Sequence, residues 1–260
     1  MNPDLPPQPG RILALGDVHG NTNWTVGRIL SARAQLREEP FKLLLQAGDF
    51  GVWPGHFGGK FLYEVSQALE KADASLWFID GNHECFPLLD TLRCGKPGIV
   101  PIDAAQRIWH LPRGTRWTWH GRTWMALGGA VSIDKAQRIE GRDWWPEEAI
   151  TAAQAQEACA GGPCDVLLSH DCPSGVRHSF GPIPRNWDQR DADASEEHRA
   201  KLQGVVNTTR PSHIIHGHLH RGYSRMCDFG YGNVSVTGLD MDGERFNAVA
   251  LDTRTMTWMP

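Results

Sequence analysis

The sequence predicts an α/β protein with a parallel sheet, and the first part of the chain carries the main observations. Short apolar runs at residues 11–15 and 41–47 predict two buried strands, each followed by a glycine turn. Between them, residues 24–38 have the apolar spacing of an amphipathic helix, which Pro40 ends. A strand, a helix and a second strand in this order are typical of a βαβ unit, whose two strands run parallel.

Helices and strands continue to alternate along the rest of the chain. Helices are predicted over residues 61–72, 146–159 and, more weakly, 195–206. The stretch 173–194 is rich in Pro, Gly, Arg and Asp and predicts a long loop. No linker or internal repeat interrupts the pattern, so we expect one domain over residues 1–260. The further predicted strands lie at 76–79, 99–101, 107–109, 116–119, 123–127, 165–168, 212–215, 222–227, 233–237, 246–251 and 256–258.

The composition bounds the class of protein. Hydrophobic residues make up 40% of the 260 residues and charged residues 22%, which is typical of a globular protein. The net charge of −4 gives no support for a nucleic-acid partner. We expect no membrane partner, because no run of about 18 apolar residues and no signal peptide is present. The six cysteines lack CxxC spacing and predict reduced thiols in a cytoplasmic protein.

The residues that could carry chemistry follow the ends of the predicted strands. Asp17 and His19 come directly after the first strand, and in an extended segment their side chains share one edge. In open α/β sheets, the carboxyl ends of the strands form the ligand crevice. We therefore expect residues at five such strand ends to converge. The whole set is Asp17, His19, Asp49, Asn82, His83, His170, His218 and His220.

This set predicts a metal centre. It combines carboxylate oxygen, amide oxygen and imidazole nitrogen, which suit borderline divalent metals, with manganese favoured and iron, zinc, nickel or cobalt as alternatives. The donors exceed what one ion needs, and the two oxygens of Asp49 could bridge a pair of ions. Two ions about 3.5–4 Å apart are used by many phosphatases and nucleases.

In their order along the chain, the motifs resemble those of the calcineurin-like metallophosphoesterases. The matching segments read Gly-Asp-Val-His-Gly at 16–20, Gly-Asp at 48–49, Gly-Asn-His-Glu at 81–84, His170, and Gly-His-Leu-His at 217–220. The resemblance implies a four-layer α-β-β-α sandwich of two mixed sheets flanked by helices, with a dinuclear metal site at the strand ends. It implies one metal on Asp17, His19 and His220, a second on Asn82, His170 and His218, and Asp49 bridging both.

The resemblance also implies hydrolysis of phosphate mono- or diesters by a water or hydroxide that bridges the two metals. Asp49 and His83 are the expected catalytic residues, because His83 follows Asn82 and could give a proton to the leaving alkoxide. The expected substrate is a small molecule or a nucleotide. A nuclease or cyclic-nucleotide phosphodiesterase is one alternative. An inert protein-binding scaffold is another, although the retention of every ligand argues against it.

The chain departs from the protein phosphatases of this family. Those enzymes carry two phosphate-binding arginines, whereas here residues 51–54 read Gly-Val-Trp-Pro and Asp80 precedes the Gly-Asn-His-Glu motif. The departure argues against a protein phosphatase. Substrate contacts are then expected from Asn82 and His83 and from two pocket walls, residues 132–148 and 173–194. The candidates there and nearby are Arg138, Arg142, Arg177, Arg185, His56 and His178.

Overall fold

Thirteen strands and six α-helices form the regular structure of the residues that the computed structural model describes, which are 8–35, 41–177 and 188–259. The strands are β1 Arg11–Leu15, β2 Leu43–Gln46, β3 Ser75–Phe78, β4 Val100–Pro101, β5 Ile108–His110, β6 Arg116–Trp119, β7 Arg122–Leu127, β8 Val166–Ser169, β9 His213–His216, β10 Tyr223–Asp228, β11 Asn233–Gly238, β12 Ala248–Asp252 and β13 Thr257–Met259. The helices are α1 Thr22–Gln35, α2 Gly55–Ala72, α3 Phe86–Arg93, α4 Ala152–Ala160, α5 Ser174–Arg177 and α6 Gln189–Thr209.

The strands form two mixed sheets. Within the described residues, the first sheet has the order β13-β12-β1-β2-β3-β5-β4, and β1, β2, β3 and β5 are parallel. The second has the order β10-β11-β9-β8-β7-β6, with β11, β9, β8 and β7 parallel and an antiparallel strand at each edge. The expected pair of mixed sheets flanked by helices is therefore confirmed.

The alternation of side chains along each strand creates the layers. In β1, Ile12 and Ala14 enter the core between the two sheets, while Leu13 and Leu15 enter the core beneath α1 and α2. The strand β8 alternates in the same way between the inter-sheet core and the core beneath α4 and α6. Because these strands are buried on both faces, they read in the sequence as continuous apolar runs.

The predicted strands are all present, with ends displaced by no more than two residues, but three helix predictions were wrong in their bounds. The helix predicted over 61–72 begins six residues earlier, at Gly55. The helix expected over 146–159 is divided into a 3₁₀ turn, Pro146–Glu148, and α4. Thr151 and Gln154 form a reciprocal capping box that begins the new helix. The helix α6 starts six residues earlier than predicted, because the Asp188 side chain accepts a hydrogen bond from the Arg190 backbone and caps it.

The remaining features complete the comparison. The short helices α3 and α5 were not predicted, and the long loop expected over 173–194 was wrong where the structure describes it, since α5 and the first turns of α6 lie there. The end of the first predicted helix, at 36–38, and part of the predicted loop, at 178–187, lie outside the described residues. All six cysteines are free thiols. Among the described helices, none combines the length and the apolar character needed to cross a membrane.

Candidate metal centre

The first and last motifs of the sequence meet at the end of β1. Asp17 is fully buried, and its two carboxylate oxygens accept the backbone N–H of His218 at 3.0 and 3.1 Å. The Nε2 atom of His220 lies 3.0 Å from Asp17 Oδ2. Residues that are 201 positions apart in the chain therefore share one corner of the site, because β1 and β9 end at the same edge of the sandwich.

Asp49, at the end of β2, occupies the centre of the site. Its Oδ2 atom lies 3.4 Å from Nε2 of His170, 3.6 Å from Nε2 of His19 and 3.9 Å from Nε2 of His83. Its other oxygen accepts the backbone N–H of His83 at 2.8 Å. One carboxylate oxygen thus faces three imidazoles, while the second is held by the chain itself.

The turn after β3 carries Asn82 and His83, and the buried carboxylate of Glu84 holds this turn in place. Glu84 is fully buried and accepts the backbone N–H groups of Phe50, Gly51 and Gly81, which ties this turn to the one that carries Asp49. Burial and the charge of Asp49 raise the pKa of Glu84 to about 8, against the lowering effect of the backbone donors. A Cβ atom at Gly81 would lie 2.1 Å from Asp49 Oδ1, so only glycine fits there.

His170, which follows a strand of the second sheet, brings a possible metal donor close to Asn82. His170 donates from Nδ1 to the Ala47 carbonyl at 2.7 Å, which directs its Nε2 atom toward Asn82 Oδ1, 3.1 Å away. In a neutral imidazole that Nε2 is an acceptor, and the amide oxygen is an acceptor too. Without a metal, a proton on Nε2 joins the two atoms at this distance, and a cation bound by both would take the place of that proton.

The pKa values of His170 and His19 reflect the negative charge of Asp49. Burial lowers the pKa of His170, but the charge and hydrogen bond of Asp49 outweigh it and raise the pKa to about 10. At His19, the hydrogen bond and charge of Asp49 likewise overcome burial and raise the pKa to about 9. Burial lowers the pKa of His218 to about 3 and keeps its ring neutral. A neutral ring beside two carboxylates is the form in which histidine ligates a metal.

The expected ligands form two donor sets around Asp49. Asp17, His19 and His220 offer atoms within 4.8 Å of one another, and so do Asp49, His170 and His218. A further group within the same limit joins His19, Asp49 and His83. Together with Asn82, these residues fit two divalent cations, since they provide carboxylate, amide and imidazole donors from both sides of one carboxylate.

Of the candidate substrate contacts, the structure brings Arg138 to the site. Its Nη2 atom lies 3.4 Å from Nε2 of His83, and Asp134 holds the guanidinium through two hydrogen bonds of 2.8 Å each. Arg142 instead pairs with the adjacent Asp143, and its side chain is 65% exposed.

The other candidates are placed differently. Arg177 is buried at the end of α5, and His56 is exposed on the first turn of α2. His178 and Arg185 lie outside the described residues. Asp80, at the position of a missing phosphatase arginine, is buried and pairs with Arg113 at 2.6 Å.

Several contributors were not expected from the sequence. Asp242 accepts from His19 Nδ1 at 3.1 Å and from Asn21 at 2.7 Å, so it orients a candidate ligand. The Trp53 indole donates to the His83 carbonyl at 2.7 Å. Ser132 accepts from Asn82 at 3.1 Å. A search for a carboxylate that supports each histidine could have suggested Asp242, but the sequence does not show which of the many acidic residues meets which histidine.

The family follows from comparison with known proteins. The model of the calcineurin-like phosphoesterase family matches residues 10–222, a span that contains all the strand-end motifs. The chain therefore belongs to this family. No curated protein sequence matches it.

The solved structures that align with the chain are distant in sequence. GAP50, the anchor in the inner membrane complex of Plasmodium, aligns with a TM-score of 0.51 and 10% identity over 92% of this chain and 79% of its own. Thermus thermophilus sulfate thiohydrolase SoxB gives a TM-score of 0.48 and 13% identity over 96% and 54%. The Pseudomonas putida nuclease MPE gives a TM-score of 0.34 and 12% identity, over 95% of this chain and 86% of its own. At 10% identity, the likeness to GAP50 bears on the fold alone.

Proposed function

We propose that the protein is a metal-dependent phosphoesterase that hydrolyses phosphate mono- or diesters of small molecules or nucleotides at two divalent cations. One observation carries the proposal: the Asp49 carboxylate lies between two separate sets of metal donors, with imidazole nitrogens from both sheets 3.4 and 3.6 Å from one oxygen. Membership of the family supports the reaction class.

The two donor sets support a role for each ligand. Asp17, His19 and His220 would hold one ion, Asn82, His170 and His218 the other, and Asp49 both. When bound, the two cations supply a nucleophile from water at neutral pH and neutralise charge on the phosphate oxygens. Manganese is the first metal to test, and iron, zinc, nickel and cobalt suit the same donors.

His83 and Arg138 would act on the substrate itself. The His83 ring reaches the site beside Asp49, with 24% of its side chain exposed, and would donate a proton to the leaving oxygen. Arg138 would bind a phosphate oxygen through the guanidinium edge that faces His83. Burial and then the charge of Arg138 lower the pKa of His83, against the raising effect of Asp49. A phosphate dianion bound between the two side chains would raise the pKa of His83 again, so the His83 ring would take up a proton when the substrate binds.

The extent and location of the protein are also proposals. We propose one domain over residues 1–260, and the six free thiols suit the reducing cytoplasm. Nucleic acid is not the favoured substrate, because the net charge is −4.

The decisive experiment compares p-nitrophenyl phosphate with bis-p-nitrophenyl phosphate after loading with each candidate metal. Metal-dependent hydrolysis that the Asp49→Asn variant lacks is the expected result. Preference for the diester directs the search to nucleic acids and cyclic nucleotides, and preference for the monoester to nucleotides and sugar phosphates. Absence of hydrolysis by folded protein with bound metal would overturn the proposal in favour of an inert scaffold.

A further inference from the structure

The side-chain amide of Asn82 faces the metal centre in one of two possible directions. Its Oδ1 atom points to His170 and its Nδ2 atom donates to Ser132 Oγ at 3.1 Å. The two ends of an amide have nearly the same shape, but the oxygen binds a cation and the NH₂ group repels one. Some other residue must therefore select the direction.

Ser132 and Glu148 supply that selection. Glu148 is buried, and its carboxylate accepts twice from Ser132, at 2.9 Å from the backbone N–H and at 2.6 Å from the hydroxyl. A carboxylate can only accept, so the single hydroxyl proton of Ser132 points to Glu148. The lone pairs of Ser132 Oγ then face Asn82 and require its NH₂ group.

The same contacts close a loop over the site. Ser132 and Glu148 are 16 residues apart, and the Ala130 backbone N–H also donates to the Glu148 carbonyl at 3.1 Å. The loop between them, residues 132–148, carries Arg138 to within 3.4 Å of His83. The base of this loop thus contacts Asn82, and its tip contacts the next residue of the same turn.

We propose that Ser132 and Glu148 are positioning residues, which fix the Asn82 amide with its oxygen toward the second metal ion. The inference rests on the proposed function in taking Asn82 as a ligand of that ion. It assigns the two residues no contact with the substrate. Their removal changes metal affinity through Asn82 alone.

The first test measures the affinity for Mn²⁺ by competition with a chelating dye, together with bound metal per chain. Ser132→Ala removes the acceptor for the amide, and Glu148→Gln places an NH₂ group beside Ser132 and releases the fixed proton direction. For each we expect a loss of about tenfold or more in affinity for one of the two ions, in the range of other outer contacts of metal ligands. Ser66→Ala is the matched control, since Ser66 also donates to a carboxylate, Asp103, away from the site.

A second background separates orientation from general damage. An aspartate has two oxygens, so its direction does not matter, and Ser132 can donate to it once Glu148→Gln supplies a donor of its own. In the Asn82→Asp background, Glu148→Gln should therefore leave the affinity unchanged or improve it. Equal losses in both backgrounds, or no loss with Ser132→Ala, would overturn the inference.

A readout without metal distinguishes this inference from the proposed function. In metal-free His170→Ala protein, where no imidazole proton holds Asn82 Oδ1, the Asn82 side-chain NH₂ protons should show a nuclear Overhauser effect to Ser132, which Glu148→Gln weakens and Ser66→Ala does not. Wild-type protein that binds no metal would refute the proposed function, while this signal would still report the amide direction. An unchanged signal in the Glu148→Gln variant would refute the positioning role.

Discussion

At the scale of single residues, four of the candidate ligands have an uncommon backbone conformation. His19, Asp49, His218 and His220 have φ angles of 44°, 54°, 62° and 48°, in the left-handed region. Such a conformation costs of the order of 1–3 kcal/mol for a residue other than glycine, and it persists only where the surrounding structure imposes it. Here it turns the side chains toward Asp49 immediately after the strands end. Within the described residues, four of the ten non-glycine residues with such an angle therefore lie where the donors converge.

This conformation makes Asp49→Asn a clean test of the bridging role. Asparagine tolerates the left-handed region and has the same shape, so the fold should survive while the charge between the two donor sets is lost. We expect the loss of both metals and a fall in kcat of more than about 1000-fold, measured by metal analysis and phosphatase assay. Asp73→Asn is the control, because Asp73 has a φ of 50° at the exposed end of α2. Retention of two metals by Asp49→Asn would refute the bridging role.

Arg138 and Arg142 lie on one loop and differ in environment. A phosphate bound by Arg138 gains a charge-assisted hydrogen bond worth about 1.5–3 kcal/mol, so Arg138→Ala should lower kcat/KM roughly 10- to 100-fold. Arg142→Ala should change it less than about twofold, because that side chain is exposed and pairs with its neighbour. Steady-state kinetics with a monoester checks both. Equal effects of the two substitutions would contradict the assignment of Arg138.

The convergence of the candidate ligands could be predicted from the sequence, whereas the residues that support them could not. Asp17, Asn82 and His170 stand directly at strand ends, and the edge at which parallel strands end follows from local patterns. Ser132 and Asp242 have no such local signal. Asp242 meets His19 across 223 residues and belongs to a turn of ordinary composition. Contacts of this kind depend on the packing of distant loops, so only the structure shows them.

At the scale of elements, Arg113 joins the end of β3 to the loop 132–148. It pairs with Asp80 and donates to the carbonyl groups of Glu147, Glu148 and Ala149 at 2.8, 3.0 and 2.9 Å. The charge of Arg113 outweighs burial and holds the pKa of Asp80 well below its usual range. The guanidinium thus donates hydrogen bonds to carbonyl groups that would accept from backbone N–H groups in a regular helix through 146–159. The sequence predicted one continuous helix from the Pro-Glu-Glu start at 146–148, because the contacts of Arg113 with these carbonyl groups cannot be read from the sequence.

Removal of Arg113 should be costly for folding. Arg113→Met leaves the Asp80 carboxylate buried beside the apolar core without its main partner, and breaking such a pair costs about 3–5 kcal/mol of unfolding free energy. Lys60→Ala breaks an exposed pair with Glu64 and should cost less than about 1 kcal/mol. Urea denaturation measures both. Equal stability of the two variants would show that Arg113 contributes no more than a surface residue.

At the scale of the whole molecule, the candidate metal centre lies where the two sheets meet. Asp17, Asp49 and Asn82 follow strands of the first sheet, while His170 and His218 follow strands of the second. Apolar side chains in the core between the sheets pack them together, including the rings of Trp77 and Trp119 with centroids 5.5 Å apart. Cations shared by both sheets would add a link at the open edge, and ligands that bind only the folded state raise its stability.

The stability of the metal-free protein should depend on pH in the alkaline range. The pKa values of His19 and His170 are raised to about 9 and about 10, above the value near 6.5 of an unfolded histidine. A raised folded-state pKa contributes stability that is fully present below pH 6.5 and is lost as the pH rises through 9 to 10. Glu84 adds to this loss up to about pH 8, because its folded-state pKa is raised to about 8, whereas the buried carboxylates with lowered pKa values titrate in acid.

We therefore expect the urea midpoint of EDTA-treated protein to fall steadily from pH 7 to pH 10. Each proton held only by the folded state lowers the unfolding free energy by about 1.4 kcal/mol per pH unit in this window. Asp49→Asn should flatten the profile, because the charge and hydrogen bond of Asp49 keep both imidazoles protonated. Saturating Mn²⁺ should flatten it as well, since metal binding displaces the protons. A metal-free midpoint that stays constant from pH 7 to pH 10 would show that the histidines are neutral without a metal.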